Sequence, residues 1–247
     1  MKYKLTNNKK ESFGKTLFQI EATVSFGSVV KGELGGYIEK ESNLSQHGNA
    51  WVSDDAQVYG NALVYGNALV YGNAWVSDDA QVSDDAQVYG NALVSDDALV
   101  YGNAQVYGNA QVYGNALVYG NAQVSGDALV YGNAQVSGDA QVSGDAQVSG
   151  DALVYGNALV YGNAQVYGNA WVSAKASFTK GRFIGGDDSG KITDITNKIG
   201  NNYWTYQYVL GDYEIKPIDD TPKESINLKG KEVKITLDGV EYVTIIK

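Results

Sequence analysis

Val58-Tyr59-Gly60-Asn61-Ala62-Leu63 is one of twenty-one consecutive hexapeptides that run from Val52 to Val172. Valine recurs at every sixth residue without a miss, and an alanine follows each one four residues later, from Ala56 to Ala176. The unit reads V-[Y/S]-[G/D]-[N/D]-A-[Q/L/W]. A short fixed period means stacked units, not one globular core. Within the unit, Ala, one variable residue and Val follow one another. In extended backbone the Ala and Val side chains then share one face, and the variable residue takes the other. Valine is β-branched and suits a strand. The residues between Val and the next Ala are turn formers that tolerate positive φ. Each unit is therefore one short strand and one corner. A period of six does not match the 3.6 of a helix, and a recurrent Gly or Asp would break one.

Three such sides close a triangle of eighteen residues, so the regular array predicts an all-β parallel β-helix of about seven coils. At ~4.8 Å per coil the rod is roughly 34 Å long. Its interior holds only Val and Ala, which need no hydrogen-bond partner. Open coil ends are unpaired strand edges and call for β-rich caps. The chain accordingly divides into 1–49, an N-terminal β cap with irregular first turns; 50–176, the β-helix; and 177–247, a β-rich C-terminal module. In the cap, Thr16–Ala22 and Thr23–Phe26 read as strands, and Ile38 and Leu44 are in phase with the alanines. In the C-terminal module, Val233–Leu237, Asp238-Gly239 and Val240–Ile246 read as a hairpin with a two-residue turn.

The V-x-G-N-A-x runs resemble the hexapeptide-repeat family, and that resemblance implies a left-handed helix. Gly35-Gly36-Tyr37-Ile38-Glu39, with Asn43-Leu44-Ser45-Gln46 after it, is similar to the N-terminal region of bacterial and prophage-encoded hexapeptide proteins often labelled acyltransferases. By that resemblance an acyltransferase would carry a catalytic His at a subunit interface and a projecting loop. This chain has one histidine, His47, which lies eighteen residues before Tyr65 and reads as a variant corner residue. No loop interrupts Val52 to Val172, and there is no Ser-His-Asp or Cys-His set to activate a nucleophile.

Charge narrows the remaining options. The full chain carries a net charge of −10 and no cysteine. Residues 50–176 hold 12 Asp, no Glu and one Lys, so the rod is the acidic part and has the wrong sign for nucleic acid. An acidic DNA mimic fits the sign, but its carboxylates are irregularly spaced. No Thr occurs between residues 50 and 176, which disfavours an ice-binding array. Without cysteine there is neither a disulfide framework nor a thiolate metal site. No apolar run is long enough for a transmembrane helix, and the charged start Met1-Lys2-Tyr3-Lys4 is unlike a signal peptide, so a cytoplasmic or virion-associated protein is expected.

Residues eighteen apart stack, so the outward positions form three columns. The one holding Leu63, Leu99, Leu117, Leu153 and Trp171 is the most apolar, and it is the candidate interface to a second copy or another protein. Asp78, Asp79, Asp96 and Asp97 fall in successive coils of one corner, the arrangement that hard cations such as calcium favour. Tyr203, Trp204, Tyr206 and Tyr208 form an aromatic cluster fit for a carbohydrate or protein ligand. Tyr71, Tyr89 and Tyr107 should stack, and the Asn positions should form ladders. No cofactor is expected. The function that fits best is a non-enzymatic spacer or display scaffold.

Overall fold

The computed structural model describes residues 1–172 continuously and, beyond them, the strand segments 177–178, 182–184, 196–199, 202–205, 232–237 and 240–245. Almost every described element is a strand; one 3₁₀ turn spans Glu41–Asn43. Two-residue strands such as Leu99–Val100 and Gln105–Val106 recur at each hexapeptide and assemble into three sheets of eleven, eight and seven strands. Within the regular array, neighbours in each sheet are parallel and eighteen residues apart: Leu99 pairs with Leu117 and Val100 with Val118. The result is a parallel β-solenoid of about eight turns with three faces.

The backbone ladder explains why the unit can be so short. The residue before Val donates to the Ala carbonyl of the next coil (Leu99 N to Ala116 O, 2.9 Å), and the residue after Val donates to the next Val carbonyl (Tyr101 N to Val118 O, 3.0 Å). The lumen holds aliphatic side chains alone. From Val52 to Val166 each repeat Val and Ala is at most 1% exposed. At each corner the residue two after Val sits in the left-handed region, as at Gly108 with φ +72°. A Cβ there would lie 3.0 Å from the backbone nitrogen of Gly126, so glycine serves both conformation and spacing.

Pairing continues past residue 176. Ser177–Phe178 stacks on Leu159–Val160, with Phe178 opposite Val160 and buried. Arg182–Ile184 stacks on Gln165–Tyr167, a step of seventeen residues. The chain forms two compact units, Met1–Ile215 and Lys216–Lys247. The second contains the expected hairpin, Glu232–Leu237 antiparallel to Val240–Ile245, with Leu237 opposite Val240.

The N-terminal cap departs from expectation at three points. First, the longest described strand is β1 (Tyr3–Ser12), which pairs antiparallel with β2 (Lys15–Ala22). Strand β2 in turn pairs antiparallel with β3 (Leu34–Ile38), which opens the parallel stack by pairing Ile38 with Val58. Second, Thr16–Ala22 is strand, but Thr23–Phe26 is a bend closed by a lone bridge from Phe26 to Val29. Third, Ile38 and Leu44 stand opposite Val58 and Val64, twenty residues on, and so fill valine positions instead of alanine ones.

The cause of that offset is a corner two residues longer than the rest. Ser45 N donates to Val64 O, which puts Ser45 in the column of Tyr65, while Asn49 N already donates to Gly66 O. Gln46 and His47 are the additional pair, so His47 does not occupy the Tyr65 column. Gln46 uses its extra reach: its Oε1 accepts from Lys2 N (2.6 Å) and Tyr3 N (3.4 Å). Two other side chains also take the place of missing ladder donors. Asn43 Nδ2 donates to Ala62 O (2.8 Å) and Lys2 Nζ donates to Ala50 O (2.7 Å). Tyr3 lies fully buried across this corner, and its hydroxyl contacts the carbonyl oxygens of Leu44 (2.7 Å) and Glu41 (2.9 Å). Gly35 and Gly36 let β3 lie directly on the first coil, since a Cβ at Gly36 would stand 2.7 Å from Ala56 O.

Candidate functional site

Each outward side chain is placed by strand alternation. The pairs Leu63–Gln81, Gln81–Leu99, Leu99–Leu117, Leu117–Gln135, Gln135–Leu153 and Leu153–Trp171 run down the seven-stranded sheet as one row. The structure thus brings the five candidate interface residues onto one face. The leucines are half-buried by their neighbours, whereas Trp171 at the row's end is 45% exposed.

The corners carry two kinds of stack. Tyr71, Tyr89 and Tyr107 lie nearly parallel with centroids 4.8 and 4.9 Å apart, and Tyr101–Tyr119 and Tyr113–Tyr131 stack at 5.0 Å. Burial in the stack, followed by the nearby Asp54 charge, raises the Tyr71 phenol. Beside the rings run asparagine ladders with one direction. Asn73 Nδ2 donates to Asn91 Oδ1 (3.2 Å), Asn91 to Asn109 (3.0 Å), and Asn109 to Asp127 Oδ1 (2.9 Å). The other corners repeat the rule: Asn103 to Asn121 to Asp139, and Asn115 to Asn133 to Asp151. Aspartate ends each ladder because an ionised carboxylate accepts but cannot donate onward.

Three of the four candidate metal-ligating aspartates accept hydrogen bonds at these corners. Asp79 Oδ1 accepts from Asn61 Nδ2 (3.0 Å), and Asp96 Oδ2 accepts from Gly114 N (2.9 Å). Asp78 Oδ2 accepts from Ser77 Oγ (2.8 Å), and Asp97 lies exposed on the same corner. Asp54, Asp78, Asp84 and Asp96 all stand at positive φ between 56° and 59°. Among the described residues, no group of three or more His, Cys, Asp or Glu side chains is arranged to hold a metal ion. His47 is exposed on its enlarged corner. Tyr203 and Trp204 lie on strand Asn202–Thr205, paired with Lys198 and Asn197. Tyr206 and Tyr208 lie outside the described residues. Among the described residues no helix is long and apolar enough to cross a membrane.

One concavity escaped the column arithmetic. The β1–β2 turn brings Phe13 against Trp75, edge-on with centroids 4.7 Å apart, and alongside Tyr59 at 6.0 Å. Beneath it a cavity of about 370 Å³ is lined by Lys10, Asp55, Gln57, Asn73, Trp75 and Asn91. Five of these belong to the repeat, and their grouping follows from the eighteen-residue stacking. Lys10 comes from the cap, and nothing periodic in the sequence signals its approach.

The family model described as the YdcK beta solenoid repeat matches the chain over 56–70, 64–78, 86–102, 94–108, 110–122, 122–138, 134–150, 146–162 and 154–167. These stretches lie within the regular coils and agree with a repeat β-solenoid. They do not extend the hexapeptide-acyltransferase resemblance. No curated protein matches the chain.

Proposed function

We propose that this chain is a non-enzymatic structural protein: a rigid β-solenoid spacer or display scaffold that associates through its third face. One observation carries the reading. From Val52 to Val172 the strand pairing keeps its eighteen-residue step with no inserted loop, and the tyrosine stacks and asparagine ladders tie corners to the coils next to them. Such a ladder resists bending and leaves few outward positions uncommitted. The row ending in Trp171 is the exception, because its leucines pair only with each other, with glutamine and, at the end, with Trp171. A mostly apolar row, interrupted only by Gln81 and Gln135, on an acidic rod fits a contact with a second copy, whose own row would cover it.

The test is sedimentation of the full chain against Leu99→Gln, Leu117→Gln and Leu153→Gln combined. The row becomes polar while the lumen and corners stay intact, so circular dichroism should be unchanged and the mass should fall to that of a monomer. An oligomer of unchanged mass would reject the face. Turnover of an acyl-CoA donor that His47→Ala abolishes would replace the scaffold reading with an enzymatic one.

A further inference from the structure

We propose that the cavity between the β1–β2 hairpin and the first coils is a saccharide-binding site. Gln57 is only 7% exposed, yet its Oε1 has no hydrogen-bond partner, and the side chain lines the cavity. Buried amide oxygens are nearly always partnered, so this one marks an irregularity in the otherwise uniform bonding at the floor of the cavity. Two further acceptors meet there. Asn73 heads its ladder, because the residue above it in the column is Asp55, which cannot donate. Among the described residues no side-chain donor reaches Asn73 Oδ1 or the Asp55 carboxylate. Lys10 supplies the donor side: its ammonium lies 3.4 Å from Asp55 O and 4.1 Å from the centre of the Tyr37 ring. Trp75, part-exposed and braced by Phe13, supplies an indole wall.

This set matches one ligand chemistry. A sugar hydroxyl both donates and accepts, so vicinal hydroxyls can satisfy Asp55 and Asn73 while accepting from Lys10. The C–H face of a pyranose fits an indole, and the volume falls in the usual range for small-ligand pockets. A phosphorylated ligand would meet the Asp55 carboxylate. An arginine or lysine side chain could also stack on Trp75, but the Lys10 ammonium lining the same cavity repels it. The cavity uses the cap and first coils alone, so this assignment stands apart from the scaffold reading and from the leucine row.

The experiment screens the full chain against neutral glycans built from glucose, galactose, mannose and N-acetylglucosamine. Hits are then measured by titration calorimetry. At least one should bind, and Asp55→Ala and Trp75→Ala should each weaken it at least tenfold, while Gln123→Ala, on another sheet and several coils away, leaves it unchanged. Asp55→Ala keeps the test decisive if Trp75→Ala loosens the hairpin, because the Asp55 side chain is exposed and holds no bond in the fold. No binder in the panel, binding that survives Asp55→Ala, or binding of arginine-bearing peptides alone would overturn the assignment.

Discussion

Replacing Gly126 separates two roles of the second corner residue. Gly126 has φ +69°, and a Cβ would lie 2.8 Å from Gly144 N and 3.1 Å from Gly144 Cα. Gly126→Ala therefore adds a left-handed non-glycine residue and a tight contact, at a cost of about 1–2 kcal/mol. Gly126→Asp adds the same Cβ, but three corners show what the carboxylate recovers. Asp54, Asp84 and Asp96 accept from Gly72 N, Gly102 N and Gly114 N at 2.9, 3.1 and 2.9 Å. Their φ values of 56–57° show how the corner relaxes around a Cβ. Ser125 and Asp127 already flank the site, so the substitution reproduces the local sequence of Ser53-Asp54-Asp55. The recovered hydrogen bond contributes about 0.5–1.5 kcal/mol. Urea denaturation in ~1 M NaCl, where screening acts within ~3 Å, suppresses repulsion from Asp127 and Asp145. The expected order is wild type, then Asp, then Ala, with the last two separated by about 0.5–1.5 kcal/mol. An alanine variant as stable as the aspartate one would refute the reasoning, because both the inter-coil bond and the tolerance of aspartate for positive φ favour Asp over Ala here.

Two further outcomes concern the cap. Gly36→Ala would drive a Cβ against Ala56 O at 2.7 Å and Val52 Cγ1 at 2.9 Å, straining the Tyr37 N to Ala56 O bond. Overpacking of this kind costs about 1–3 kcal/mol, and hydrogen exchange should report faster opening of β1–β3 with the distal coils unchanged. Burial pushes the Lys2 ammonium down from 10.5 to about 8. Between those values the unfolded chain binds more protons than the folded one, so cap stability should rise with pH. The Tyr3 phenol, raised chiefly by burial and then by the Glu41 charge, acts in the opposite sense only above its ordinary 10.0. Melts between pH 8 and 10 should thus rise for wild type and flatten for Lys2→Met; a slope that survives the substitution would assign the effect to another group.

The regular coils were legible because everything that defines them repeats. Val and Ala alternate with outward residues, and Gly or Asp marks each corner, so period, lumen and columns all follow from spacing. At the ends the Thr16–Ala22 strand and the terminal hairpin were legible, but the rest of the N-terminal cap was not, for the same reason. A cap must satisfy ladder groups with parts that do not repeat, and here Lys2, Asn43 and Gln46 do so with side chains in place of backbone. Strand β1 is rich in Lys and Asn because it lies at the outer edge of its sheet, where an apolar pattern would invite aggregation. Its composition therefore hid it. The two-residue enlargement at Gln46-His47 moved Ile38 and Leu44 into valine positions, a shift visible only through pairing. The saccharide cavity was half legible: Asp55, Asn73 and Asn91 form one column and Gln57 and Trp75 another, but only the docked hairpin encloses them.

A second regularity shows how the corners divide their work. In all twenty units from Ser53 to Asn169, Tyr at the first corner position accompanies Asn at the third, and Ser accompanies Asp. The third corner residue is exposed in both classes, so what separates them is the ladder: a neutral amide both donates to the next coil and accepts, whereas a carboxylate only accepts. Tyr rings stack at 4.8–5.0 Å where successive coils both carry Tyr, and a Ser corner interrupts that stack. The rod's negative charge is thus confined to unstacked corners, and Asp55 belongs to that class: it follows Ser53 and stands open above Asn73, where a hydroxylated ligand can donate to it.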